Sequence, residues 1–328
     1  MAYEADEADD AKQSTISGRL RVMGNVFLGG SFMLTFALAG AVLAQKDDGK
    51  QYAVELAKWR RGQEDELKAD RGFLSVAGLF WLKEGDNLLG SDESCAVRLP
   101  AGTADPQVGV VTRHWEKISC TVKAGVTVAV SEGIPWTATS DAGETTTTFD
   151  LVLDSTSAKI GSTTVMAIKR GSRIGIRMWD KKCKGYREFK GQEWYGSNRK
   201  YIVQAKFTPY DKGKSVDITN VIGDTQPVPL AGYVEFVLDG KNCRLDAQGT
   251  GTGLFINFRD LTSGKSTYPA GRFLDAPKPV DGKVILDFNR ATNPPCAFTS
   301  FATCPLPPRQ NYLEVAIPAG EKTHHPVE

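Results

Sequence analysis

KISCTVKAGVTVAVS, residues 117–131, sets the fold class. Ile118, Cys120 and Val122 alternate with polar residues, Ala124-Gly125 interrupts, and Val126, Val128 and Val130 resume the period of two. Side chains of an extended chain point alternately to opposite faces, so this pattern marks a half-buried strand. Two such runs on either side of a glycine turn predict neighbouring antiparallel strands.

The period recurs along the chain. Phe149, Leu151 and Leu153 follow it, as do Ile174, Ile176 and Met178 and, less cleanly, Tyr233, Glu235 and Val237. Residues 254–258 and 284–288 are further strand candidates. Arg170-Gly171-Ser172, Asp239-Gly240 and Asp281-Gly282 supply turns between them. Short strands at this spacing predict an all-β protein, a sandwich or half-open barrel of antiparallel strands, rather than alternating β-α units. One amphipathic helix is expected over residues 51–70, where Tyr52, Leu56 and Trp59 fall at helical spacing among charged residues.

The N-terminus sets the compartment. Residues 1–24 are mainly acidic and polar and read as disordered. VFLGGSFMLTFALAGAVL, residues 26–43, contains no charge, and as a helix its 18 residues reach about 27 Å, enough to cross a bilayer core. Residues 25–45 are therefore a retained anchor or a signal segment cleaved near Ala44. With Arg19 and Arg21 held inside, the globular part lies outside the cytoplasm. The remaining divisions are the helical region 46–71, a first β half at 72–165, a second at 166–322 and a tail at 323–328. The formal net charge of +1 and the lack of a basic stripe exclude nucleic acid as a partner. The only membrane contact expected is through the N-terminal segment.

Chemistry is expected near the C-terminus. Residues 284–321 are rich in proline, with Pro294-Pro295, Pro305 and Pro307-Pro308, and such backbone holds side chains firmly. Polar groups on a stiff loop are where sites are built. Asp287 and Glu321 are the candidate general bases. Tyr268, Arg272, Asn289, Asn293 and Asn311 are the candidate contacts for a small polar ligand, with Arg272 able to clamp an anion through its planar fork. Cys296 and Cys304 are the only cysteines close in sequence and form a candidate disulfide, with free or reactive thiols as the alternatives. Three histidines, His114, His324 and His325, leave little for a Cys-His or Ser-His-Asp machine or a zinc site. No glycine-rich phosphate loop, metalloprotease motif or nucleophile elbow occurs, and neither cofactor nor metal is indicated.

LDFNRATNPPCAF (286–298), ATCPLPPRQN (302–311) and AGEK (319–322), with Gly78-Leu79-Phe80-Trp81-Leu82, Phe189-Lys190-Gly191, Thr267-Tyr268 and Gly271-Arg272, resemble a family catalogued as a domain of unknown function, number 1684. The resemblance extends from Trp59 to Lys322 and departs at Thr292, where the family usually carries an aromatic residue. It implies no activity, cofactor or catalytic residue. The expectation is an extracytoplasmic β domain that holds a small polar ligand at the rigid C-terminal loop. The alternatives are a hydrolase with a carboxylate base and an envelope structural protein.

Overall fold

The period of two becomes nineteen strands in a computed structural model that describes residues 34–131, 138–140 and 146–324. The chain forms two compact units, Met1–Lys50 and Gln51–Glu328, and all the β structure lies in the second. The first eleven strands are β1 (Val76–Trp81), β2 (Gly85–Gly90), β3 (Val97–Arg98), β4 (Gly109–His114), β5 (Lys117–Val122), β6 (Val128–Ser131), β7 (Ala138–Ser140), β8 (Thr147–Asp150), β9 (Ser157–Ile160), β10 (Thr163–Arg170) and β11 (Arg173–Trp179). They make two sheets, ordered β1-β11-β10-β9-β6-β7 and β3-β2-β4-β5-β8. Pairing is antiparallel except between β2 and β3. Ile118, Cys120, Val128, Ile176 and Met178, all chosen by alternation, are buried in one core between the sheets.

The remaining strands are β12 (Ile202–Pro209), β13 (Ser215–Thr219), β14 (Thr225–Pro229), β15 (Gly232–Leu238), β16 (Lys241–Gly249), β17 (Gly253–Phe258), β18 (Arg272–Pro277) and β19 (Lys283–Asp287), and all but β13 and β14 build a second core. Six of these form a sheet ordered β18-β17-β16-β15-β12-β19, and β13 pairs with β14 as a separate ribbon. The six-stranded sheet curls until its edge strands β18 and β19 meet, giving a nearly closed barrel around Leu245, Ile256, Phe258, Leu286 and Phe288. Two of its tight turns have positive φ at both central residues, Asp239 (52°) with Gly240 (73°) and Asp281 (48°) with Gly282 (69°). This is the geometry that suits the twist of a two-residue hairpin and that these residue types tolerate.

Residue 165 lies inside β10, whose inward residues continue the first core, so the two cores divide between Trp179 and Tyr201. In β15 the inward set is Val234, Phe236 and Leu238, while Val237 is exposed, because its pairing with β16 aims the even-numbered residues at the barrel. The His324 ring lies 5.0 Å from Phe298 and 5.7 Å from Phe189.

Helix α1 spans Leu34–Leu67. Its stretch from Gln51 onward buries Leu56 completely and half-buries Tyr52 and Trp59, as their spacing predicts. Residues 1–33 lie outside the described residues, and with them the whole acidic terminus and the first part of the apolar run. Among the described residues no helix is long and apolar enough to cross a membrane. The C-terminal segment stitches itself to the rest by isolated strand pairs: Phe273 with Thr292, Asn220 with Pro305, Arg259 with Tyr312 and Trp194 with Glu321.

Candidate functional site

The proline-rich segment leaves β19 through a short 3-10 turn, Phe288–Arg290. Asp287 caps that turn, its carboxylate accepting the Asn289 backbone N–H at 3.1 Å and side-chain amide at 3.0 Å. It also accepts Arg290 Nε at 3.2 Å and the Tyr52 hydroxyl at 2.9 and 3.0 Å. Burial and the neighbouring carboxylate push the Tyr52 phenol well above its ordinary range, so it stays a neutral donor. Arg60 stacks over Trp194, which meets Trp59 edge to face. Asp287 therefore docks the helix onto the barrel, and every lone pair direction that a general base would need is in use.

Arg272 is 1% exposed. Its guanidinium binds Asp260 Oδ2 at 3.2 Å, the Ile317 carbonyl at 3.0 Å and the Ala319 carbonyl. Asp260 is in turn held by Thr262 at 2.6 Å and by the Ile317 N–H at 2.7 Å. This buried pair fixes β18 against the returning C-terminal segment and does not present a fork to solvent. Asn311, also buried, bridges β16 and β17 by accepting the Asp246 N–H and donating to the Asp246 and Asn257 carbonyls. Asn289 clips residue 198 in both directions, at 2.9 and 3.0 Å.

Glu321 is 1% exposed and accepts the Asn293 backbone N–H at 2.8 Å, while the Asn293 amide donates to the Lys322 carbonyl at 2.7 Å. Its other oxygen has no partner. Burial raises its pKa from 4.5 to about 7, partly offset by the bond from the Asn293 N–H and by the nearby Arg272 charge. Glu321 is sealed from water.

Cys296 and Cys304 do meet, but not as the predicted disulfide: all six cysteines are free thiols. The Cys296 N–H donates to Cys304 Sγ at 3.2 Å, and the Tyr268 hydroxyl donates to the Cys296 carbonyl at 2.8 Å. A hydrogen bond between the thiols holds Cys296 below the ordinary thiol range and drives Cys304 above it. Cys296 is half-buried and Cys304 buried. Among the described residues no three His, Cys, Asp or Glu side chains gather to hold a metal ion.

The expected single hollow is thus not what these side chains make. They fall into four separate, mostly buried bonding groups: around Asp287, Arg272, Glu321 and the thiols, with Asn311 apart. The segment reaches an opening at a different point. Thr303 and Pro305 border a cleft of about 540 Å³ whose other walls are the β10–β11 turn, the β13–β14 ribbon and Gln248. Its charged residues are already paired: Lys169 with Glu116 at 2.6 Å, Arg170 with Asp154 at 3.0 Å and Asp224 with Arg173 at 3.1 Å. Asp224 Oδ2 is buried without a partner. Asn220, Thr225 and Gln226 complete the polar lining. These residues carry no motif, and a turn signal at Arg170-Gly171-Ser172 is the one sign of the cleft in the sequence.

A profile of the family described as "Protein of unknown function (DUF1684)" matches residues 187–322. A solution NMR structure of an uncharacterized protein of Haloarcula marismortui is 34% identical, over 44% of this chain and 83% of that one, with a TM-score of 0.37. No curated protein matches the chain.

Proposed function

The chain belongs to the DUF1684 family of proteins of unknown function, and on that footing we propose that it is a binding protein for a small, uncharged polar ligand held in the cleft beside Thr303 and Pro305. The carrying observation is the cleft itself. Its volume of about 540 Å³ lies within the range of small-molecule sites. Its ion pairs are internally matched, so a charged ligand would have to break one. What remains for a ligand is neutral: amides of Gln226 and Gln248, the hydroxyl of Thr303, and flat proline faces. The unpartnered Asp224 oxygen is an acceptor for a ligand hydroxyl or amide N–H. Hydroxyl-rich molecules such as sugars and polyols fit this lining. In this reading the signature segment determines the fold, and only its 303–305 portion touches ligand.

A thermal-shift screen of neutral sugars and polyols tests the proposal. A ligand that binds the folded state alone raises the midpoint with its concentration. The expected result is at least one such compound whose shift disappears in Gln226→Ala and Gln248→Ala. A panel with no saturable shift, or a shift indifferent to both variants, would reject it. The apolar run at residues 26–43 supports an extracytoplasmic setting. A phosphatase reporter fused after Gln45, active only outside the cytoplasm, should be active. A hydrolase reading is favoured by one observation, the Glu321 pKa of about 7. It requires ester or amide cleavage that Glu321→Gln abolishes.

A further inference from the structure

A second cavity, of about 250 Å³, lies where β9, β10 and the end of β11 meet residues 70–71 and 180–182. Four cations, Arg71, Lys159, Lys181 and Lys182, face two carboxylates, Asp70 and Asp180. Both acids are committed. Asp70 pairs with Lys181 at 2.6 Å. Asp180 is buried and accepts the Lys182 backbone N–H at 2.8 Å and the Ser162 hydroxyl at 3.3 Å. Arg71, Lys159 and Lys182 have no ion-pair partner among the described residues, so the cavity keeps an uncompensated positive charge. Arg71 Nη1 donates to Ser157 Oγ at 3.5 Å, which leaves the Ser157 hydroxyl proton free to be donated.

The independent observation is Trp179. It forms a wall of this cavity, is 6% exposed, and carries a buried indole N–H with no acceptor. A buried donor without a partner is costly and uncommon, and an acceptor-only ligand beside it would remove the cost. Guanidinium, ammonium, hydroxyl and indole donors, with four cations against two carboxylates that each already accept a bond, describe a site for an anion rich in oxygen. The volume is below that of drug-sized sites, which suits a compact group.

We propose that this cavity binds a tetrahedral oxyanion of the phosphate class, free or as a small monoester, through Arg71, Lys159, Lys182 and Ser157, with the Trp179 indole as a further donor. The site is separate from the neutral cleft and does not depend on it.

The test is a titration of the full chain with inorganic phosphate at ionic strength held constant with sodium chloride. Tryptophan fluorescence and the indole N–H resonances are followed, with Trp179→Phe identifying its own signal. A saturable change that includes the Trp179 resonance is expected. Arg71→Met and Lys159→Met should each weaken the apparent affinity about tenfold, the scale of one hydrogen bond to a charged group. Lys206→Met, at an exposed position of β12, should leave it unchanged. Equal binding of sulfate would support the class. Three outcomes would overturn the proposal: no saturable change beyond chloride, a change that survives both cavity variants, or tighter binding of acetate than of phosphate. If Trp179→Phe does not fold, Arg71→Met and Lys159→Met still decide the matter.

Discussion

Replacing Glu321 with glutamine asks whether burial governs this carboxyl. The side chain is 1% exposed and one of its oxygens has no partner. Its pKa rises from 4.5 to about 7 on folding. Between those values the folded protein holds a proton that the unfolded chain has released. The linkage sign follows: the contribution is fully present below the unfolded value and is lost as pH rises through 7. At about 1.4 kcal/mol for each tenfold in proton affinity, the full span is worth about 3 kcal/mol. Glutamine keeps the shape and never ionises. In urea unfolding at about pH 5 the variant should lie within about 1 kcal/mol of the parent, and at about pH 8 it should be the more stable by about 2–3 kcal/mol. An identical difference at both pH values would refute the reasoning, because it would mean that the carboxyl does not change charge inside the fold. A loss at the higher pH would mean that a partner stabilises the ionised form.

Arg272→Met should cost about 3–5 kcal/mol, since it strands the Asp260 carboxylate and two carbonyls in the interior; a urea midpoint with an unchanged slope reads this directly. Tyr52→Phe removes the donor that ties the helix to Asp287 and should cost about 1–2 kcal/mol, visible as faster amide hydrogen exchange in residues 51–67 with the barrel unaffected. Iodoacetamide on the folded protein should label Cys296 first and Cys183 more slowly, because burial raises the Cys183 pKa; peptide mass spectrometry that found Cys304 labelled first would contradict the thiol arrangement.

Alternation made the strands legible wherever one face meets water. Ile118, Cys120 and Val122 in β5 obey it, and their neighbours are half-exposed or exposed. It loses force where both faces are covered. In β11 every residue after Arg173 is buried, including Gly175, which packs under Trp81, and Arg177. In β17 five of six residues are buried, so no period was there to read. The ribbon of β13 and β14 has the reverse problem, since it is largely exposed and its prolines break the apolar pattern. The polar residues of the C-terminal segment were recognisable as a group because they cluster in sequence. Their partners were not, since Tyr52 meets Asp287 across 235 positions and Asn311 meets Asp246 across 65. An isolated polar side chain carries no mark that tells a structural clip from a ligand contact. That distinction depends on whether distant backbone fills its hydrogen-bonding capacity.

The pairing of Glu321 with Trp194 and of Tyr312 with Arg259 has a consequence for synthesis. The β12–β19 barrel has all its strands once Asp287 has been made, yet the seams that seal it come from residues made afterwards. Until those emerge, Phe258 and Phe288 sit in an unfinished core with its edges open. A ribosome delivering about 5–20 residues per second leaves that intermediate waiting for seconds. Any lengthening of that pause, by rare codons or by a stop just after residue 290, would hand the nascent chain to chaperones or to aggregation.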